Sequence, residues 1–129
     1  MTSELKWLTF STLLGLASVL VAGAFGTRQR GLLWNASNRD GEAKPLTGAA
    51  ARAVRANANF LETFPFFAAA VLAVVASNRG TAHTAFGAAL YFWGRVVYLP
   101  VYIIGIPYLR TLVWAVSIWG LLQVIEALL

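Results

Sequence analysis

Charge is missing from long stretches of this chain and crowded into short ones. Between Lys6 and Arg28 lies an uncharged run, residues 7–27, rich in Leu, Val, Ala and Gly. About 20 apolar residues are enough for one helix to cross a bilayer, so the pattern predicts a first span over about 5–27. A rival reading is a signal peptide, because Ala22-Gly23-Ala24 resembles a small-residue cleavage site. The basic leader is thin, however, with Glu4 beside Lys6. A second apolar stretch covers about 48–77. It opens Ala-rich, carries polar residues in its first half, is purely apolar after Phe66, and ends at the turn Asn78-Arg79-Gly80. A third covers about 81–104 and is broken by Gly105-Ile106-Pro107. A fourth covers about 108–128. The short connections make the last three helices antiparallel neighbours. None of the four shows a soluble amphipathic stripe, so a protein that only lies on the membrane surface is not expected. The expected fold is all-α: an integral membrane four-helix bundle, with residues 1–129 as one transmembrane domain.

Composition supports this. The 129 residues are 59% hydrophobic and 12% charged, against roughly 45–50% and 25% in soluble domains. A soluble fold of this size needs more polar surface, so a soluble domain, a disordered chain and a basic nucleic-acid binder are all excluded. There is no cysteine, hence no disulfide, no protein thiolate nucleophile and no cysteine-ligated metal. A lone His83 with five carboxylates in the whole chain makes no metal site. Any thiol chemistry must use a thiol carried by a ligand.

The net charge of +5 is unevenly placed. Residues 27–55 hold Arg28, Arg30, Arg39, Lys44, Arg52 and Arg55 against Asp40 and Glu42. Basic loops stay in the cytoplasm, so the first loop and Arg110 are expected there, with both termini and Arg79 outside. Trp7, Trp34, Trp93, Trp114 and Trp119 read as interface anchors or packing. His83 reads as the start of a helix near the interface.

Charges inside spans are costly and mark function by default. Arg52, Arg55, Asn59 and Glu62 are spaced 3, 4, 3, which places them within about 80° on one helix face. Tyr91, Arg95, Tyr98 and Tyr102 are spaced 4, 3, 4 and fall within about 60°. One reading is mutual neutralisation, with Glu62 pairing Arg95 or Arg55 as glue between helices. The stoichiometry favours a ligand: Arg52, Arg55, Arg95 and Arg110 face one glutamate. Arginine forks bind carboxylates, asparagine donates and accepts, and glutamate holds an ammonium. The set suits a small molecule with two carboxylates and one amine.

The run Arg52-Ala-Val-Arg55-Ala-Asn-Ala-Asn59-Phe-Leu-Glu62-Thr-Phe-Pro65 resembles the second-helix signature of the MAPEG family, roughly R-x-x-R-A-x-x-N-x-x-E-x-x-P. These are membrane-associated proteins in eicosanoid and glutathione metabolism. Gly94-Arg95-Val-Val-Tyr98-Leu-Pro-Val-Tyr102, then Tyr108-Leu-Arg110, resembles the third and fourth helices. The likeness covers about residues 27–129 and is to a bacterial-type member similar to microsomal glutathione transferase. It implies a homotrimer in the bacterial inner membrane, with glutathione bound at subunit interfaces that open to the cytoplasm. It also implies Arg55, Asn59 and Glu62 as glutathione ligands, with Asn57, Arg52, Arg95 and Arg30 at further binding positions. Tyr98, Tyr102 and Arg110 would serve catalysis, with Arg110 stabilising the thiolate. Counted from Arg95, the family's arginine falls at Leu109, one residue before Arg110. Phe60 and Thr63 replace an acidic residue and a tyrosine of some relatives. The implied activity is transfer of glutathione to a lipophilic substrate, or reduction of a lipid hydroperoxide. A non-catalytic, lipid-binding member is the alternative. A small transporter fits poorly, because arginines beside Glu62 hinder cation passage.

Overall fold

The computed structural model describes residues 1–129. It contains five helices and no strand: α1 Ser3–Arg30, α2 Leu32–Ala36, α3 Gly48–Ala76, α4 Ala82–Ile104 and α5 Pro107–Glu126. Four of them, α1, α3, α4 and α5, are long and apolar enough to cross a membrane. Together they make a four-helix bundle, as the hydropathy pattern implies. The one-turn α2 is an element the pattern does not announce.

Local chemistry sets the helix ends. Thr2 caps α1, its Oγ1 accepting from the Leu5 N–H. Thr81 and Thr84 form a reciprocal capping box at the start of α4, which satisfies two donors that a helix start otherwise leaves open. Gly105 closes α4 in the left-handed conformation, φ 94°, where a side chain is strained. Pro107 then occupies the first turn of α5, where a missing N–H costs nothing. Pro65 and Pro100 lie inside α3 and α4, and both helices continue through them.

Small residues let the helices approach. At the α4–α5 contact, a Cβ added to Gly120 would sit 2.4 Å from the Gly87 carbonyl oxygen, and one added to Gly94 would sit 2.8 Å from the Ser117 Cβ. Such backbone proximity is how membrane helices gain packing energy without a hydrophobic driving force. Helix α1 buries Ser11, Gly15, Ser18 and Ala22 on one face, and the Phe60 ring of α3 lies directly over Gly15. The apolar core gathers Phe67, Val71 and Val74 of α3, Ala88 and Tyr91 of α4, and Leu121 and Val124 of α5. Only 26 of the 129 residues are buried. The outward faces carry Leu16, Leu20, Leu72, Trp119 and Leu122, so those faces need lipid or a neighbouring subunit rather than water.

The two ends of the bundle differ. The starts of α1 and α4 and the ends of α3 and α5 meet at one end. There Glu4 contacts Thr84, Arg79 donates to the carbonyls of Ala127 and Leu128, and His83 stands 3.6 Å from Glu126. His83 thus lies in the first turn of α4, exposed. The other end carries Arg52, Arg55, Arg110 and the charged 31–47 segment. That segment is tied down by reciprocal bonds between the Gln29 side-chain amide and the Thr47 backbone, both 3.0 Å, and by Arg30 donating to the Lys44 carbonyl at 2.8 Å.

Candidate functional site

The polar stripe of α3 and the arginine–tyrosine face of α4 meet the start of α5 at the second end. Arg52 sends its Nε–H to the Ile103 carbonyl, 2.8 Å away, an acceptor at the last turn of α4 that has no helical partner of its own. Its guanidinium lies against Gly105, where a Cβ would approach Arg52 Nε to 3.2 Å. Arg55 is exposed and donates from Nε to the Tyr102 hydroxyl at 3.3 Å. Arg110 covers the Tyr102 ring from 4.7 Å, a cation–π contact that fixes its direction.

These side chains line a cleft of about 210 Å³ formed by Arg52, Arg55, Tyr102, Gly105, Pro107 and Arg110. A second cavity of about 130 Å³, between Asn59, Tyr98, Arg110, Thr111 and Trp114, lies deeper toward the bundle. Arg110 lines both and so marks their boundary. Leu109 is exposed and lines neither, so the one-residue offset in counting leaves the arginine, not the leucine, at the site. Three arginines surround this cleft with no carboxylate in its lining, so its potential favours an anion over a cation.

Beneath the site Arg95 is 1% exposed. It donates from Nη1 to Asn59 Oδ1 at 2.8 Å, lies 4.2 Å from the Tyr98 ring centroid and 5.4 Å from that of Phe60, and leaves its Nε without an acceptor. Tyr98 and Tyr102 meet edge to face, centroids 5.5 Å apart. Tyr91, on the same face of α4, belongs instead to the core: it stacks on Phe67 at 4.0 Å and its hydroxyl meets Thr63 Oγ1 at 2.9 Å.

The expected residues therefore divide. Arg52, Arg55, Asn59, Arg95, Tyr98, Tyr102 and Arg110 are brought together. Glu62 is exposed and pairs with neither Arg95 nor Arg55; the one close acid–base contact in the chain is His83–Glu126. Mutual neutralisation of Glu62 is thus absent, and Asn59 takes the place beside Arg95. Asn57 is half-buried with its Oδ1 unpartnered. Arg30 lies apart, in a separate hollow with Trp34, Arg39 and Leu46. Two residues lining the deeper cavity were not read as site residues from sequence, Thr111 and Trp114. The buried Trp114 Nε1 has no acceptor. The available signal was its position four residues after Arg110, one helical turn along the same face.

The MAPEG family model matches residues 7–128, nearly the whole chain. The chain belongs to the MAPEG family. Neither the curated proteins nor the solved structures give a match. Members are membrane proteins of glutathione and eicosanoid metabolism. The four apolar helices of this MAPEG chain fit an integral membrane protein.

Proposed function

We propose that the protein is a glutathione-dependent membrane transferase or peroxidase acting on lipophilic electrophiles or lipid hydroperoxides. The observation that carries this reading is the convergence of Arg52, Arg55 and Arg110 with Tyr102 around one cleft whose lining has no acid. Arg52 and Arg55 would hold the carboxylates, and Asn59 and Asn57 the peptide groups. Glu62 would take the amine, with Arg95 supporting Asn59 from below. Arg55 and Glu62 are exposed in the single chain, as a ligand shared between copies of a homotrimer requires. By the distribution of basic residues, the cleft opens to the cytoplasm with both termini outside, and the resemblance implies a bacterial inner membrane.

Glutathione supplies a thiol, which is the nucleophile only when ionised. An ordinary thiol of pKa near 8.5 is a few per cent thiolate at pH 7. A guanidinium beside the sulfur favours the charged form, more strongly where water is excluded. Arg110 takes that role because it lines both the outer cleft and the deeper cavity. Tyr98 and Tyr102 supply hydroxyl donors beside it. The lipophilic substrate reaches the site sideways from the bilayer.

The test is stopped-flow absorbance at the thiolate band with protein in detergent. Wild type should bind glutathione in the micromolar-to-millimolar range with thiolate formation, and Arg55→Ala and Glu62→Ala should lose binding. Absence of binding at cellular glutathione concentrations would overturn the reading and favour a non-catalytic lipid-binding protein.

A further inference from the structure

The deeper cavity has a lining that the binding of glutathione does not explain. It measures about 130 Å³, room for a small polar group and too little for an acyl chain. All five residues that line it, Asn59, Tyr98, Arg110, Thr111 and Trp114, carry a hydrogen-bond donor, and no carboxylate lies among them. Asn59 gives its Oδ1 to Arg95, which leaves its amide nitrogen as a donor. The Trp114 Nε1–H is buried and has no acceptor. An indole nitrogen only donates, so no neighbouring hydroxyl hydrogen or N–H satisfies it, and leaving it unpaired is costly. The ligand group called for is an oxygen acceptor.

The charge of that acceptor follows from Arg110, which lines this cavity and the outer cleft alike. Arg110 is the cation assigned to the thiolate. A carboxylate in the deeper cavity would compete for the same guanidinium and repel the sulfur. A neutral oxygen does neither, and it becomes anionic only as the sulfur attacks. Donors placed for that moment stabilise the transition state more than the ground state. Helix α5 also presents Leu112 and Val116 outward, both exposed, so an apolar tail stays in the bilayer while its polar head enters.

We propose that the Trp114 indole N–H donates to the substrate oxygen that takes up negative charge. The site thereby selects lipids whose electrophile ends in oxygen, a hydroperoxide or an α,β-unsaturated carbonyl, over those that lose a halide. The assignment rests on the glutathione reading and adds to it a subsite for the second reactant. With the unsaturated carbonyl, a carbon–sulfur bond forms at the β carbon, the π pair moves onto the carbonyl oxygen, and the α carbon takes the proton that the thiol released. With the hydroperoxide, a sulfur–oxygen bond forms as the O–O bond breaks, and the departing alkoxide takes that proton. The sulfur is oxidised and the peroxide reduced; a second glutathione then forms the disulfide and releases water. Trp114 keeps its own proton throughout.

The test is steady-state kinetics of the detergent-purified full chain with cumene hydroperoxide, 2-nonenal and benzyl chloride, whose charge departs on a halide that accepts hydrogen bonds weakly. The variants are Trp114→Phe and Trp114→3-benzothienylalanine, the second replacing the N–H by sulfur at nearly equal size. Each should lower kcat/KM for the two oxygen acceptors at least about tenfold, toward the roughly hundredfold that a lost oxyanion donor costs, with less than about a threefold change for benzyl chloride. The stopped-flow thiolate band is read alongside and should persist in both. The isosteric variant keeps the test valid where phenylalanine disturbs packing. An unchanged ratio between oxygen acceptors and benzyl chloride, whether all rates fall together or none does, would overturn the proposal, and a persisting thiolate band would then keep the glutathione reading. Turnover of benzyl chloride alone by the unaltered chain would overturn it in the same way. Absence of the thiolate band from the unaltered chain would overturn the glutathione reading itself, and this proposal with it.

Discussion

Replacing Asn59 with leucine takes from Arg95 its one side-chain hydrogen-bond acceptor, at 2.8 Å, with the guanidinium at 1% exposure and unable to turn to water. Polar hydrogen bonds between membrane helices average about 0.6 kcal/mol and reach about 1.7 kcal/mol. Bonds to charged groups contribute about 1.5–3 kcal/mol. The Tyr98 and Phe60 rings, at 4.2 and 5.4 Å, stay in place and keep part of the cation's stabilisation. The loss therefore stays below the roughly 3–5 kcal/mol of a broken buried ion pair. About 2 kcal/mol is expected, near thirtyfold in the folding equilibrium. The assay is unfolding by denaturing detergent, followed by tryptophan fluorescence, on Asn59→Leu, Arg95→Met and the double variant. The double variant should recover much of the loss, with a coupling energy of at least about 1 kcal/mol. Additive effects, or a single Asn59→Leu effect below about 0.5 kcal/mol, would show that Asn59 does not hold Arg95.

Gly120→Ala forces a Cβ to 2.4 Å from the Gly87 carbonyl oxygen. Since backbone cannot give way as a side chain would, about 1–3 kcal/mol of stability should be lost, and an unchanged melting temperature in detergent would contradict the close α4–α5 contact. Arg110→Leu should leave glutathione binding within a fewfold of wild type yet remove the thiolate absorbance, because Arg52 and Arg55 still hold the carboxylates; loss of both together would make Arg110 a binding residue only. Raising salt from about 0.05 to about 0.5 M should weaken glutathione binding severalfold, since the cleft is open and its charges are screened; an isothermal titration series checks this.

The four apolar helices were legible because a bilayer demands long uncharged runs and punctuates them with Gly, Pro and Asn. The polar faces were legible too, because 3.6-residue periodicity fixes angles around one helix axis. Periodicity says nothing about which neighbour a face meets. Glu62 and Asn59 share a stripe on α3, yet the stripe's centre turns to α4, leaving Glu62 at its edge and exposed. That is why Glu62, which the rival reading of mutual neutralisation would pair with Arg95, does not meet it. Tyr91 shares a face with Arg95 yet joins the core for the same reason, because it lies deeper, where α3 offers Phe67 and Thr63. Glu4 read as a weak leader charge, because its partner Thr84 stands eighty positions away, beyond any local pattern. Trp114 looked like packing because an unpartnered indole N–H is visible only in three dimensions.

The connections within the bundle are unequal in length. Gly105 and Ile106 alone join α4 to α5, and five residues join α3 to α4, whereas the mostly exposed segment 31–47 separates α1 from α3. Every residue of the arginine cleft lies on the α3–α5 side of that segment. The chain is in effect two pieces: a hairpin series that lines the cleft, and a single strut held by its small-residue face and by Trp7 and Phe10 against Phe92. A gene split within residues 37–44 thus encodes two fragments, and co-expressing them should rebuild the site without a covalent link. The long segment adds no residue to the cleft, so its sequence should be replaceable without changing the cleft's lining.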